Sequence, residues 1–168
     1  TVFLFPGQGS QTPGMGKDFY EAGSPEARAV FEIAEALAGP ELLQAMFEGS
    51  DTALTDTRVA QPALLTVDVA VARHLQSLGH VPRACAGHSL GEYSALVSAG
   101  ALTLPEAVRL VRERGRLMQS TVPQGKGKMA ALLGLNDEQA TELCQLASAG
   151  ENSLVVPANF NAPGQIVI

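Results

Sequence analysis

The 168-residue sequence predicts an α/β protein with parallel strands. Three observations carry that prediction. Short apolar runs alternate with longer segments of helical periodicity. Glycine and proline punctuate nearly every junction between them. A serine framed by two glycines sits where one such run gives way to a helical segment, an arrangement that belongs to the strand–turn–helix steps of α/β sheets.

The elements follow in order along the chain. Residues 2–5 form an apolar run that ends at Pro6-Gly7-Gln8-Gly9 and read as a buried strand entering a loop. Ser24-Pro25-Glu26 starts a helix, with Ser24 as its cap and Pro25 at the first helical position, and Gly39-Pro40 ends it. A short helical piece over residues 42–47 precedes a polar loop over residues 49–58. Pro62 starts a long helix, residues 62–78, stopped by Gly79. Residues 83–86 suit a short strand between Pro82 and Gly87, and residues 90–99 a helix ended by Gly100. Thr103-Leu104-Pro105-Glu106 is a capping box that launches a helix to about Ser120.

The basic stretch Pro123-Gln124-Gly125-Lys126-Gly127-Lys128 reads as a hinge, giving two domains, residues 1–123 and 124–168. In the second, residues 129–135 form a strand, Asn136 caps a helix over residues 137–149, and residues 154–160 and 165–168 form strands. That β-α-β-β order resembles the first part of a split β-α-β domain. A full unit needs another helix and strand, and Gln165-Ile166-Val167-Ile168 is a poor place for a natural end. The chain therefore reads as incomplete.

Composition narrows the function classes. Apolar residues make up 46% of the chain and charged residues 17%, with a net charge of −6. That balance argues against a protein that binds nucleic acid by neutralising phosphates. The apolar runs are too short or too interrupted to span a bilayer, and the first residues lack the basic flank of a signal peptide. Cys85 and Cys144 lie far apart in apolar company and read as buried free thiols of a reducing, cytoplasmic compartment. His74, His80 and His88 lack partners at metal-site spacing, so no metal is expected. His74 and His80 read as surface residues.

The serine is Ser89, in Gly87-His88-Ser89-Leu90-Gly91. A G-x-S-x-G pattern alone arises by chance in roughly one of twenty chains of this length. Here a strand leads in and a helix leads out, the context in which a strained turn presents a hydroxyl at a helix N-terminus. The Leu90 amide would then face a tetrahedral oxyanion. The alternative is a serine that simply caps its helix. Gln8, between two glycines at the carboxyl edge of a strand, is placed for its backbone N–H to approach a ligand. The alternative is a flexible turn; no Lys-Ser or Lys-Thr follows, which excludes a nucleotide-binding P-loop.

On the helix after Thr103, residues Leu104, Val108, Val111, Gly115 and Met118 share one face. At 100° per residue Arg114 lies within roughly 40–70° of the centre of that face, whereas Arg109 and Arg116 point away. An inward guanidinium needs a carboxylate, from the substrate or from an internal acid. His88 is a poor base for Ser89, because neighbours at a strand end point to opposite sides.

Five stretches, FPGQGSQ at 5–11, QPALL at 61–65, AGHSLGEYSALV at 86–97, VRERG at 111–115 and NFNAPGQ at 159–165, closely resemble the malonyl-CoA:acyl carrier protein transacylase family. The resemblance implies a hydrolase-like α/β domain with a ferredoxin-like subdomain inserted after about residue 123. It implies Ser89 as the acylated nucleophile, Gln8 and Leu90 as backbone oxyanion donors, and Arg114 as the partner of the malonyl carboxylate. Asn159, Asn161 and Gln165 match polar residues near the cleft. Coenzyme A enters as the thioester substrate, acyl carrier protein as the acceptor, and no cofactor, nucleic acid or membrane is implied; a monomer is expected. The family's general base is a histidine downstream of NFNAPGQ, beyond these residues. The rival readings are a serine esterase or thioesterase, and a non-catalytic fragment that binds an acyl carrier.

Overall fold

Strand β1 (Val2–Phe5) pairs in parallel with β2 (Ala84–Gly87), with Phe3 opposite Cys85 and Phe5 opposite Gly87. They belong to a computed structural model that describes residues 1–121, 127–150 and 153–168. Alternation along β1 sends Phe3 and Phe5 to one face, where they are buried with Ala72 and Ala95. The other face carries Val2 and Leu4, 57% and 76% exposed. The strand expected to be buried is thus covered on one side only. A four-residue apolar run reads the same in either case, which is why sequence could not separate them. Cys85, on this sheet, is half-buried rather than buried; Cys144 is buried, and both are free thiols.

The chain divides into two compact units, Thr1–Val122 and Pro123–Ile168. The first contains β1, β2 and seven helices among the described residues: α1 (Lys17–Ala22), α2 (Pro25–Ala38), α3 (Glu41–Glu48), α4 (Asp51–Thr55), α5 (Thr57–Ser77), α6 (Gly91–Ser98) and α7 (Leu104–Thr121). Its main core is a cluster in which Phe31 of α2, Met46 of α3, Leu65 and Val69 of α5, and Val108 and Val111 of α7 are buried together. Ser24 caps α2 by accepting from the Ala27 amide at 3.2 Å. The Thr103 amide donates to the Glu106 carboxylate at 3.0 Å, the expected capping arrangement at the start of α7.

Four features depart from expectation here. Helix α1 was not anticipated; six residues are too few to display a helical period. The polar loop of residues 49–58 contains α4, capped by Ser50, whose hydroxyl accepts from the Ala53 amide at 3.3 Å, while Leu54 is buried. Helix α5 starts at Thr57, so Pro62 lies inside it rather than at its head. The early start has a local cause and a tertiary one. The Asp56 carboxylate accepts from the Arg58 amide at 2.9 Å, and the Thr57 hydroxyl donates to the Gly115 carbonyl of α7 at 3.2 Å. His74 is no free surface residue: its Nδ1 accepts from the Ser24 amide at 3.1 Å and its ring packs edge-on against Phe19.

In the second unit, β3 (Ala131–Leu133), α8 (Asp137–Ala147), β4 (Asn159–Ala162) and β5 (Gln165–Val167) follow in sequence. The sheet order is β3-β5-β4 with both pairings antiparallel. Strands β3 and β4 therefore run the same way with β5 between them, the layout of a split β-α-β unit. Asn136 and Gln139 form a reciprocal capping box on α8. Ala140, Cys144 and Ile166 are its buried apolar residues. The strands are shorter than expected; in the one expected over residues 154–160, Val155 is tied to the Ser148 side chain instead of a sheet partner. Of the expected hinge, residues 123–126, with Lys126, lie outside the described residues; Lys128 is exposed. Among the described residues no helix is long and apolar enough to cross a membrane.

Candidate active site

The turn between β2 and α6 is built by close backbone approach. A Cβ on Gly87 would strike the Gly91 carbonyl and the Glu92 amide, and a Cβ on Gly91 would strike the carbonyls of Phe5 and Pro6. Glycine is therefore required at both positions for space. The His88 amide donates to the Phe5 carbonyl at 3.1 Å, carrying the β1–β2 ladder right up to the serine. Squeezed between these contacts, Ser89 takes φ 52°, the one positive φ at a non-glycine residue among those described. Such backbone is sparsely populated for an L-residue and persists where its surroundings over-determine it.

The capping alternative for Ser89 does not describe this geometry. Leu90 occupies the N-cap position of α6, and no side chain caps the helix. The Ser89 hydroxyl instead accepts a hydrogen bond from Nη2 of Arg114 at 2.8 Å. Arg114 reaches it from α7, as the helical phase anticipated, and is half-buried. Its Nη1 donates to Oε1 of Gln61 at 2.7 Å, and its guanidinium lies 5.9 Å from the centre of the Tyr93 ring. None of the ion pairs among the described residues includes Arg114. Among the described residues, the internal salt bridge that sequence left open is thus not formed. Gly115 makes this reach possible, since a Cβ there would stand 2.6 Å from the Thr57 carbonyl and hold α7 away from α5. Met118, assigned to the buried face of α7, is 45% exposed.

The loop after β1 meets the serine turn at Gly7, where an added Cβ would stand 2.7 Å from Nδ1 of His88. Two bonds hold that loop: the Gly9 amide donates to Oε1 of Gln11 at 2.8 Å, and the Ser10 hydroxyl to the Gly7 carbonyl at 2.9 Å. The backbone amides of Gln8 and Leu90 make no hydrogen bond to other described residues; Gln8 is exposed, whereas Leu90 is fully buried. Asn159, Asn161 and Gln165 lie in the second unit, on the β4–β5 hairpin; Asn159 is half-buried, and Asn161 and Gln165 are exposed. Among the described residues no group of three His, Cys, Asp or Glu is arranged to hold a metal ion.

Gln61, in the QPALL stretch, is a site residue that the sequence alone does not single out. Gln61 is fully buried, with Oε1 on Arg114 and Nε2 donating to Sδ of Met118 at 3.2 Å. The available signal was a lone amide among Ala60, Pro62, Ala63 and Leu64. A buried polar side chain in such a run needs partners, and those partners are here the site itself. Asp68, two turns further along α5, is also buried. It accepts from the Ser94 hydroxyl of α6 at 2.7 Å, and burial pushes its carboxyl up to about 7 against the opposing effect of that bond.

The family model described as "Acyl transferase domain" matches residues 2–168. The malonyl CoA-acyl carrier protein transacylase of Bacillus subtilis is 49% identical over 167 residues, 99% of this chain and 52% of the relative. That of Escherichia coli is 48% identical over 168 residues, 99% of this chain and 53% of the relative. Among solved structures, an acyl-carrier-protein S-malonyltransferase from Bartonella henselae superposes with a TM-score of 0.90 at 46% identity, over 99% of this chain and 53% of that one. A malonyl-transacylase in complex with its type II polyketide-synthase acyl carrier protein gives 0.89 at 43% identity, over 99% of this chain and 53% of that one. The chain spans about half the length of the relatives it matches.

Proposed function

Because this chain belongs to the acyl transferase domain family, we propose that its full-length protein moves a malonyl group from coenzyme A to the pantetheine thiol of acyl carrier protein, in fatty acid biosynthesis. Ser89 attacks the thioester carbonyl, the coenzyme A thiol leaves, and a malonyl ester remains on Oγ. The acceptor thiol then attacks that ester and frees Ser89. In each half the amides of Gln8 and Leu90 receive the oxyanion. The observation that carries this reading is the 2.8 Å bond from Arg114 to the Ser89 hydroxyl. A cation with no acidic partner among the described residues stands within one hydrogen bond of the nucleophile, where an acyl group ending in a carboxylate would meet it.

The same observation disfavours an esterase or thioesterase for uncharged acyl groups, which would leave that cation unanswered. The strained turn disfavours a non-catalytic carrier-binding fragment. We assign the first unit to a hydrolase-like domain and the second to a ferredoxin-like subdomain, with residue 123 as the boundary; on the resemblance, Asn159, Asn161 and Gln165 match polar residues near the family's cleft. The resemblance puts the general base downstream of residue 165; without one, a serine hydroxyl is a weak nucleophile at neutral pH. The protein works in the cytoplasm, a reading supported by its two free thiols; a monomer that needs no cofactor is what the resemblance implies. The carrier, an acidic protein, docks against local basic charge at Lys126 and Lys128 despite the net charge of −6. Arg116 contributes less than its sequence position suggests, since it is ion-paired to Glu113. The test compares acceptors: Lys126→Glu with Lys128→Glu should weaken transfer to carrier protein, more at low salt, and spare transfer to free pantetheine. Equal loss with both acceptors would refute the docking assignment.

A further inference from the structure

We infer that Gln61 sets the acyl-group selectivity of this site by holding Arg114 in place with a neutral partner, so that the guanidinium keeps its charge for a substrate carboxylate. This inference rests on the reading of Arg114 given above and goes beyond it, because it assigns selectivity to a residue that touches no substrate. Gln61 is a positioning residue.

The Gln61 amide has one orientation. Arg114 offers only donors and Met118 Sδ only an acceptor. Oε1 facing Arg114 at 2.7 Å and Nε2 facing Met118 at 3.2 Å is the one orientation that satisfies both. The flipped amide would set donor against donor and oxygen against sulfur. A fully buried side chain with both polar atoms engaged does not turn. Helix α5 therefore presents a fixed acceptor to Nη1, and the opposite nitrogen, Nη2, is directed at Ser89.

The second step is charge. Burying a guanidinium against an acid would be the usual way to satisfy it. Here the fixing partner is neutral, the second contact is a hydroxyl and the third is the Tyr93 ring. All three orient the cation and none neutralises it. An isosteric glutamate at position 61 would supply that missing charge from inside the protein and compete with any carboxylate arriving on Ser89. A malonyl group would then lose its advantage over an acetyl group, which has no carboxylate to offer.

The experiment uses the full-length protein with Gln61→Glu and Gln61→Met. Two readouts are taken: labelling of Ser89 by malonyl-CoA against acetyl-CoA, and equilibrium binding of free malonate by calorimetry. Gln61→Glu should lower the malonyl-to-acetyl labelling ratio by about two orders of magnitude, and malonate binding in parallel. Gln61→Met, which removes the acceptor without adding charge, should lower both by about tenfold and covers the case in which the glutamate variant fails to fold. An unchanged ratio and unchanged malonate affinity in the folded variants would overturn the inference. If neither donor labels Ser89 in the unmodified protein, the nucleophile assignment fails, and the malonate arm still decides the role of Gln61.

Discussion

The Ser89 turn and the β4–β5 hairpin are both shaped by glycine, for different reasons. At Gly87 and Gly91 the backbone of neighbouring segments occupies the space a Cβ would need. At the hairpin, Gly164 takes φ 75° but an added Cβ would find its nearest neighbour at 3.7 Å, and across from it Gly134, φ 83°, has nothing within 4 Å. The hairpin needs glycine only for its dihedral angle; the serine turn needs it for space and forces the strain onto Ser89 instead. Strain on a side-chain-bearing residue, with Arg114 bonded to its hydroxyl, separates a site from a bend.

That contrast can be broken or sharpened by substitution. The largest effect is expected from Arg114→Ala. Removing one partner of a charge-assisted pair costs about 3–5 kcal/mol, so malonyl transfer should slow by orders of magnitude while acetyl transfer is spared or improved. Steady-state rates with the two donors check this, and equal losses would make Arg114 merely structural. Arg114→Lys should restore little, since an ammonium cannot reproduce the planar fork that spans Gln61 and Ser89.

Next comes the buried carboxyl beneath the turn. Asp68 is raised to about 7 in the fold from an ordinary value of 3.8, so between those values the native state holds a proton that the unfolded chain has released. Stability should therefore fall as pH rises from about 4 to about 7, by about 2–4 kcal/mol, and level off above. Asp68→Asn should abolish that component. Urea midpoints of both proteins across this range provide the measurement, and parallel curves would contradict it.

Smaller effects separate the two kinds of glycine. Gly91→Ala drives a methyl group into the carbonyls of Phe5 and Pro6 and should cost about 1–3 kcal/mol together with reactivity at Ser89. Gly134→Ala meets no atom and should cost only about 1 kcal/mol for its left-handed backbone, with activity intact. Equal costs would erase the distinction between them.

What sequence revealed follows the same division. The Ser89 turn was legible because its cause is local: two glycines, a strand before and a helix after. The phase of α7 was legible enough to turn Arg114 inward, but not to show that its partner would be an amide. That required knowing that α5 starts at Thr57, and the start is fixed partly by a bond to Gly115, 58 residues away. The single covered face of β1 escaped for a related reason. Which side of a short apolar strand is packed depends on distant helices, here α5 and α6 through Ala72 and Ala95.

The most direct test of the central claim is the site of acylation. The full-length protein is incubated with malonyl-CoA, digested and analysed by mass spectrometry, with Ser89→Ala in parallel. A malonyl adduct on the peptide containing Ser89, absent from the variant, is the expected result. An adduct on another residue, or transfer activity that persists in Ser89→Ala, would contradict it.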